Sequence, residues 1–209
     1  MEPSPDCPLC PRLVRNRETL RAQHPDWHNA PVASFGDPDA RLAIVGLAPG
    51  MQGANRTGRP FTGDHAGALL FAILAKLGLS EGEYAADRQD GLVLRGVFIA
   101  NAVRCVPPQN KPEMSEIHSC RPFLVSTLKS LPNLKVVLAL GAIAHQSAIK
   151  ALGGKLPKTP FAHDAVHALH TGYTVVDSYH CSRLNTNTGR LTTAMFEAVT
   201  AKALALSQD

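Results

Sequence analysis

Residues 42–64 read LAIVGLAPGMQGANRTGRPFTGD. The opening LAIVG is short, apolar and partly β-branched, as a strand buried on both faces should be. From Gly46 the next nineteen residues hold five glycines, two prolines and two arginines. One or two glycines suffice for a turn. So much freedom from Cβ atoms at the end of a strand fits backbone that approaches a ligand closely. The ligand is not a nucleotide in a P-loop, because no G-x-x-x-x-G-K-[ST] occurs in the chain.

Three further runs share the character of the first: LVLRGVFIAN (92–101), LKVVLALG (134–141) and YTVVDSYH (173–180). Helical periodicity falls between them. AGALLFAILAKLGL (66–79) puts Leu69, Leu70, Ile73, Leu74 and Leu77 on one stripe. Further helices are expected at 115–131, where Pro122 predicts a kink or a later start, at 142–152, and from about Leu191 onward. Strands alternating with helices predict an α/β fold: three α/β/α layers around a mostly parallel sheet of about four strands. Residues 1–40 read as an N-terminal arm, and 153–172 as loop or irregular insertion. At the ends of the four strands stand the glycine-rich loop, Asn101, Gly141 and His180. Open α/β sheets bind ligands at the carboxyl ends of their strands, so these residues converge on one edge.

The 209 residues suit a single domain, and 44% apolar content supports one core. The net charge of +4 is compatible with a polyanionic partner. No apolar run approaches the ~20 residues of a membrane helix. The start, MEPSPDCPLC, lacks a signal-peptide pattern. A cytoplasmic protein is expected, in which the five cysteines serve as thiols or metal ligands rather than disulfides. Cys7 and Cys10 form a CxxC pair, and Cys105 and Cys120 are separated by fourteen residues. The four fit one metal or cluster. A four-cysteine zinc site usually uses two close pairs, and a [4Fe–4S] cluster tolerates the wider spacing better. Spacing alone leaves zinc, a cluster and free thiols open. Cys181 stands apart and reads as a small buried residue.

Three segments, GLAPGMQGANRTGRPFTGD, NAVRCVPPQNKP and HCSRLNTNTGRLT, together with the four cysteines in order, resemble the signature of the uracil-DNA glycosylase superfamily. The match is to its family 5, or type B, iron–sulfur branch. Family 4 carries GEAPG in the first segment. Here Leu47 replaces the acid and an aspartate appears later, in FTGD. The third segment usually reads HPS and here reads His180-Cys181-Ser182. The resemblance implies a DNA-repair hydrolase that cuts the N-glycosidic bond of uracil in DNA. It also implies a base range wider than uracil, with hypoxanthine and other deaminated bases as candidates, and a [4Fe–4S] cluster on Cys7, Cys10, Cys105 and Cys120.

That reaction needs an extruded base, donors for the departing uracil anion and a positioned water. The resemblance assigns the anion to His180 and the water to Asp64. Asp64 is equally suited to cap the helix that follows it, and one carboxylate is not expected to do both easily. Gly46, Ala48 and Gly50 would bring backbone to the base. Phe61 would stack on it from an exposed position, and Asn101 would read its amide edge. Leu184 would fill the gap in the duplex, while Ser182, Arg183, Arg190, Arg56 and Arg59 would meet the DNA backbone. Each has an ordinary alternative: a core histidine, a turn asparagine, an inward leucine, solvated arginines. A monomer acting on DNA is expected. The rival from another class is a metal-bound nucleic-acid-binding module without catalysis.

Overall fold

The computed structural model describes residues 1–209. In chain order its elements are α1 (Pro11–Gln23), β1 (Phe35–Gly36), β2 (Leu42–Gly46), α2 (Ala54–Thr57), α3 (His65–Lys76), β3 (Ser80–Glu81), β4 (Val93–Leu94) and β5 (Val97–Asn101). There follow α4 (Met114–Lys129), β6 (Val136–Leu140), α5 (Ala142–Ala151), β7 (Val166–Ala168), β8 (Thr174–Ser178), α6 (Arg183–Asn187) and α7 (Thr193–Gln208).

The sheet has six strands in the order β1-β5-β2-β6-β8-β7, not four. The four expected strands are its parallel centre, and β1 and β7 close the two edges antiparallel. The edges escape a periodicity reading because they are two and three residues long and none of their residues is buried. The run 92–101 also divides. Gly96, at φ +67°, separates β4, which pairs with β3 in a small second sheet, from β5.

Alternation along β2 shows why the centre must be covered twice. Leu42 and Ile44 enter one core with α3 and α7, while Ala43 and Val45 enter the other with α4 and α5. The result is three layers. Pro122 neither kinks α4 out of register nor delays it; the helix runs unbroken from Met114. Pro122 and His118 are both exposed, so the carbonyl that loses its N–H partner opens to solvent. A reciprocal capping box between Glu113 and Glu116 starts this helix.

The N-terminal arm contains a helix that its polar composition hides. In α1, only Leu13, Arg17 and Leu20 are buried, at helical spacing but with an arginine in the middle. Arg17 donates both terminal guanidinium nitrogens to the carbonyl of Cys7 at 3.2 Å. Leu13 joins Val103, Ile117 and Cys120 in a third, small core, and Arg12 holds Glu116 through bonds of 2.8 and 2.7 Å. The arm is thereby fixed to the segment after β5 and to α4.

Candidate active site

Register places the site before any loop is considered. Gly46 and Asn101, the last residues of β2 and β5, are direct neighbours. The pairing continues past the strands, with Ala102 N–H donating to Gly46 O at 2.9 Å and Val103 N–H to Leu47 O at 3.0 Å. A Cβ on Gly46 would stand 2.5 Å from Asn101 Oδ1 and 2.6 Å from the Phe61 ring. Glycine here is therefore a close-approach requirement: it lets an amide and an aromatic ring share the floor of one cleft.

That cleft has a volume of about 860 Å³. Ala48, Gly50, Phe61, Asp64, Asn101, His180, Ser182, Arg183 and Leu184 all face it. Asp64 and His180, separated by more than a hundred residues in the chain, thus share one cavity, as the expected chemistry requires.

Asp64 caps the helix without committing both of its oxygens. Its Oδ1 accepts the N–H of Gly67 at 2.9 Å and caps α3. Its Oδ2 is turned toward Gly50 and Gly53, where added Cβ atoms would stand 2.9 and 2.4 Å away. One oxygen holds the helix and the other remains for the cleft. His180 is held by Asn185, which donates to its carbonyl at 2.8 Å. Burial pushes the imidazole below its ordinary value, with Asp64 opposing, so the ring is neutral near pH 7. Its Nδ1 and the Oδ1 of Asn101 are both buried with no hydrogen-bond partner. Phe61 is not exposed but buried, at φ +53°, with its ring 6.1 Å from that of His180 at an interplanar angle of 23°.

The arginines divide. Arg183 lines the cleft beside Leu184, which is 72% exposed on α6. Arg56 is exposed outside the cleft. The guanidinium of Arg190 lies over the Tyr179 ring at 4.5 Å. Arg59 is a correction. It is 5% exposed and binds Asp90 through two bonds of 2.7 Å, so it is not free to meet a phosphate. Two cleft residues had no signal in the sequence. His65 Nε2 meets Thr186 Oγ1 at 3.0 Å and ties α3 to α6. Asn110 reaches the cleft from a loop where it and Gln109 both have positive φ, +57° and +55°.

A model of the uracil DNA glycosylase superfamily matches residues 33–204. The chain belongs to that superfamily. A type-5 uracil-DNA glycosylase of Thermus thermophilus is 44% identical over 207 residues, covering 96% of this chain and 94% of that protein. One of Pyrobaculum aerophilum is 41% identical over 96% of this chain and 88% of its own length. A type-4 uracil-DNA glycosylase of Pyrobaculum aerophilum is 33% identical over 61% of this chain. The superfamily match begins within the N-terminal arm, at residue 33, whereas the matches to the type-5 proteins leave out only about 4% of the chain.

The four cysteines of the arm and the core line one small cavity, whose core packs against Ala48 and Ile143 of the cleft. None is in a disulfide. Burial, with the neighbouring cysteines adding to it, pushes Cys105 up to about 12; burial likewise raises Cys120 to about 11. The N–H of Arg104 points at Cys120 Sγ, 3.3 Å away. No helix is long and apolar enough to cross a membrane.

Proposed function

We propose that the cleft receives a uracil swung out of DNA and hydrolyses the bond between the base and its deoxyribose. The observation that carries this reading is that Asn101 and His180, which line one cavity, each hold a buried polar atom without a partner, Oδ1 and Nδ1. A buried polar atom without a partner is costly, so such a pair is expected where a ligand completes it. Uracil supplies the complement. Asn101 Oδ1 accepts the N3–H, its amide N–H donates to O4, and a ring N–H of neutral His180 donates to O2 as negative charge builds on the leaving base. Phe61 stacks against the base face. Ala48 and Gly50 keep the wall low enough for backbone to approach.

Asp64 Oδ2 orients a water toward the sugar carbon. As the glycosidic bond breaks, its electron pair leaves with uracil; the water oxygen bonds to the sugar carbon and passes its proton to Asp64 Oδ2, and the uracil anion takes up a proton from solvent on release. Because Oδ1 is held by Gly67, the carboxylate is already aimed before substrate arrives. Leu184 enters the stack left open by the extruded base, and Ser182, Arg183, Arg56 and Arg190 meet the phosphates. One chain supplies every group, which supports a monomer acting alone on DNA.

A [4Fe–4S] cluster on Cys7, Cys10, Cys105 and Cys120 completes the reading. Four cysteines lining one cavity, Cys7 and Cys10 from the arm with Cys105 after β5 and Cys120 on α4, support it. The cluster would supply iron–thiolate bonds that join the arm to the segment following Asn101; hydrolysis needs no electron from it.

The test is single-turnover release of free base from a uracil-containing duplex by the wild type, Asp64→Ala and His180→Ala. Release by the wild type and strong loss in both variants is expected. A wild type that binds DNA yet frees no base from any deaminated duplex would make the protein a nucleic-acid-binding module instead.

A further inference from the structure

Away from the cleft, three side chains that the base-release reading does not use converge on one another. His145 lies on α5, His167 on the edge strand β7 and Asp177 on β8. His145 and Asp177 are 1% and 0% exposed. His145 Nδ1 is 2.7 Å from Asp177 Oδ1, and His167 Nε2 is 2.9 Å from Oδ2 of the same carboxylate. A donor atom from each of the three lies within 4.8 Å of those of the other two.

Counting hydrogens at His145 exposes a vacancy in ordinary bonding. Its Nε2 stands 2.8 Å from the carbonyl oxygen of Thr159. A carbonyl only accepts, so Nε2 carries the hydrogen. A neutral imidazole has one N–H, which leaves a lone pair on Nδ1 aimed at a carboxylate oxygen. Two acceptors cannot face each other at 2.7 Å unaided. A positive centre between them is required: a proton, which makes His145 an imidazolium, or a metal ion. A proton needs only the His145–Asp177 pair. The second imidazole, presenting its own nitrogen to the same carboxylate, is what a metal requires.

We propose that His145 Nδ1, His167 Nε2 and Asp177 bind a zinc-class divalent cation, which displaces the proton from His145. Two imidazoles and a carboxylate are a ligand set suited to borderline first-row metals. The His145 Nε2–H to Thr159 bond is the outer contact that fixes ring and tautomer in such centres. Ligands on a tetrahedral zinc with ~2.0–2.1 Å bonds stand about 3.3 Å apart; the two imidazole nitrogens meet different oxygens of Asp177, and one donor atom from each group already lies within 4.8 Å of the others, so small side-chain rotations bring the three onto one ion. His167, whose side chain is 10% exposed, gives an entry path. The ion would pin β7 and the connection before it to α5 and β8. This proposal is independent of how the cleft is read.

The experiment is calorimetric titration of the purified full chain, cluster cysteines intact, with zinc sulfate in chelator-free buffer, followed by zinc-edge X-ray absorption of the metal taken up. One zinc per chain, with nitrogen and oxygen neighbours and outer imidazole scattering, is expected. His167→Gln sits at the edge strand and should weaken uptake at least tenfold while metal-free melting stays within a few degrees. No uptake, uptake unchanged in His167→Gln, or sulfur neighbours around the added zinc would overturn the proposal and leave a proton-bridged ion pair. Should the variant not fold, the neighbour atoms in the wild-type absorption spectrum still decide.

Discussion

Asp64 gives one carboxylate oxygen to the N–H of Gly67, at 2.9 Å, and turns the other toward Gly50 and Gly53 at the cleft. The residue that caps α3 is therefore also the one that the proposed pose aims at the sugar. Cap and chemistry can be separated by substitution. Asp64→Asn keeps a capping oxygen, whereas Asp64→Ala loses it at about 1 kcal/mol. Base release should fall at least about a hundredfold in both. Chemical denaturation alongside single-turnover assays checks this, and full activity in Asp64→Asn would remove the water-positioning role.

Arg59 and Asp90 form the buried ion pair of the loop, with side chains 6% and 1% exposed. The Arg59 hydrogen bonds hold the Asp90 carboxyl at about 2. The pair's contribution is then full above the ordinary carboxylate range and is lost as pH falls toward 2. Asp90→Ala leaves a buried guanidinium unpaired and should cost about 3–5 kcal/mol. DNA binding of the folded protein should be unchanged. A variant as stable as the wild type would show that the pair is dispensable.

His180 carries a pH signature. Burial depresses its pKa, so below about 6.5 the unfolded chain takes up a proton that the folded chain does not. Stability therefore falls as pH drops through that window and is flat above it. Melting curves at pH 5.5 and 7.5 should show a smaller acid loss in His180→Asn than in the wild type. With the neutral ring as the donor in the proposed reaction, the single-turnover rate should not decline from pH 6.5 to 8; a decline would indicate that imidazolium is the active form.

Gly46→Ala tests the floor of the cleft. Its Cβ would stand 2.5 Å from Asn101 Oδ1 and 2.6 Å from the Phe61 ring. Both groups must shift, at about 1–3 kcal/mol of stability. Base release should drop at least tenfold because both contact the base in the proposed pose. Normal kinetics would mean that neither side chain's position matters.

Cys105→Ser tests the cluster. Purified wild-type protein should carry iron and broad visible absorption, both lost in the variant. Melting should fall by more than about 5 °C, since the arm loses its covalent attachment through metal. A colourless, iron-free wild type would refute the cluster.

The sequence by itself was enough for the layered α/β centre, because strands covered on both faces must be apolar throughout, and LAIVG and VVLAL are. The ends of those strands also marked Gly46, Asn101 and His180. Tertiary structure alone decided the rest. The edge strands β1 and β7 are too short and too exposed to leave a pattern, and α1 hides its apolar stripe behind a buried arginine. Arg59 and Arg183 look alike in a chain, yet one is paired with Asp90 and the other borders the cleft. An arginine's role is set by where a distant carboxylate lies. The same holds for His65 with Thr186, and for His145 and His167 around Asp177. Periodicity records what one segment buries; only folding determines which polar groups from separate segments meet.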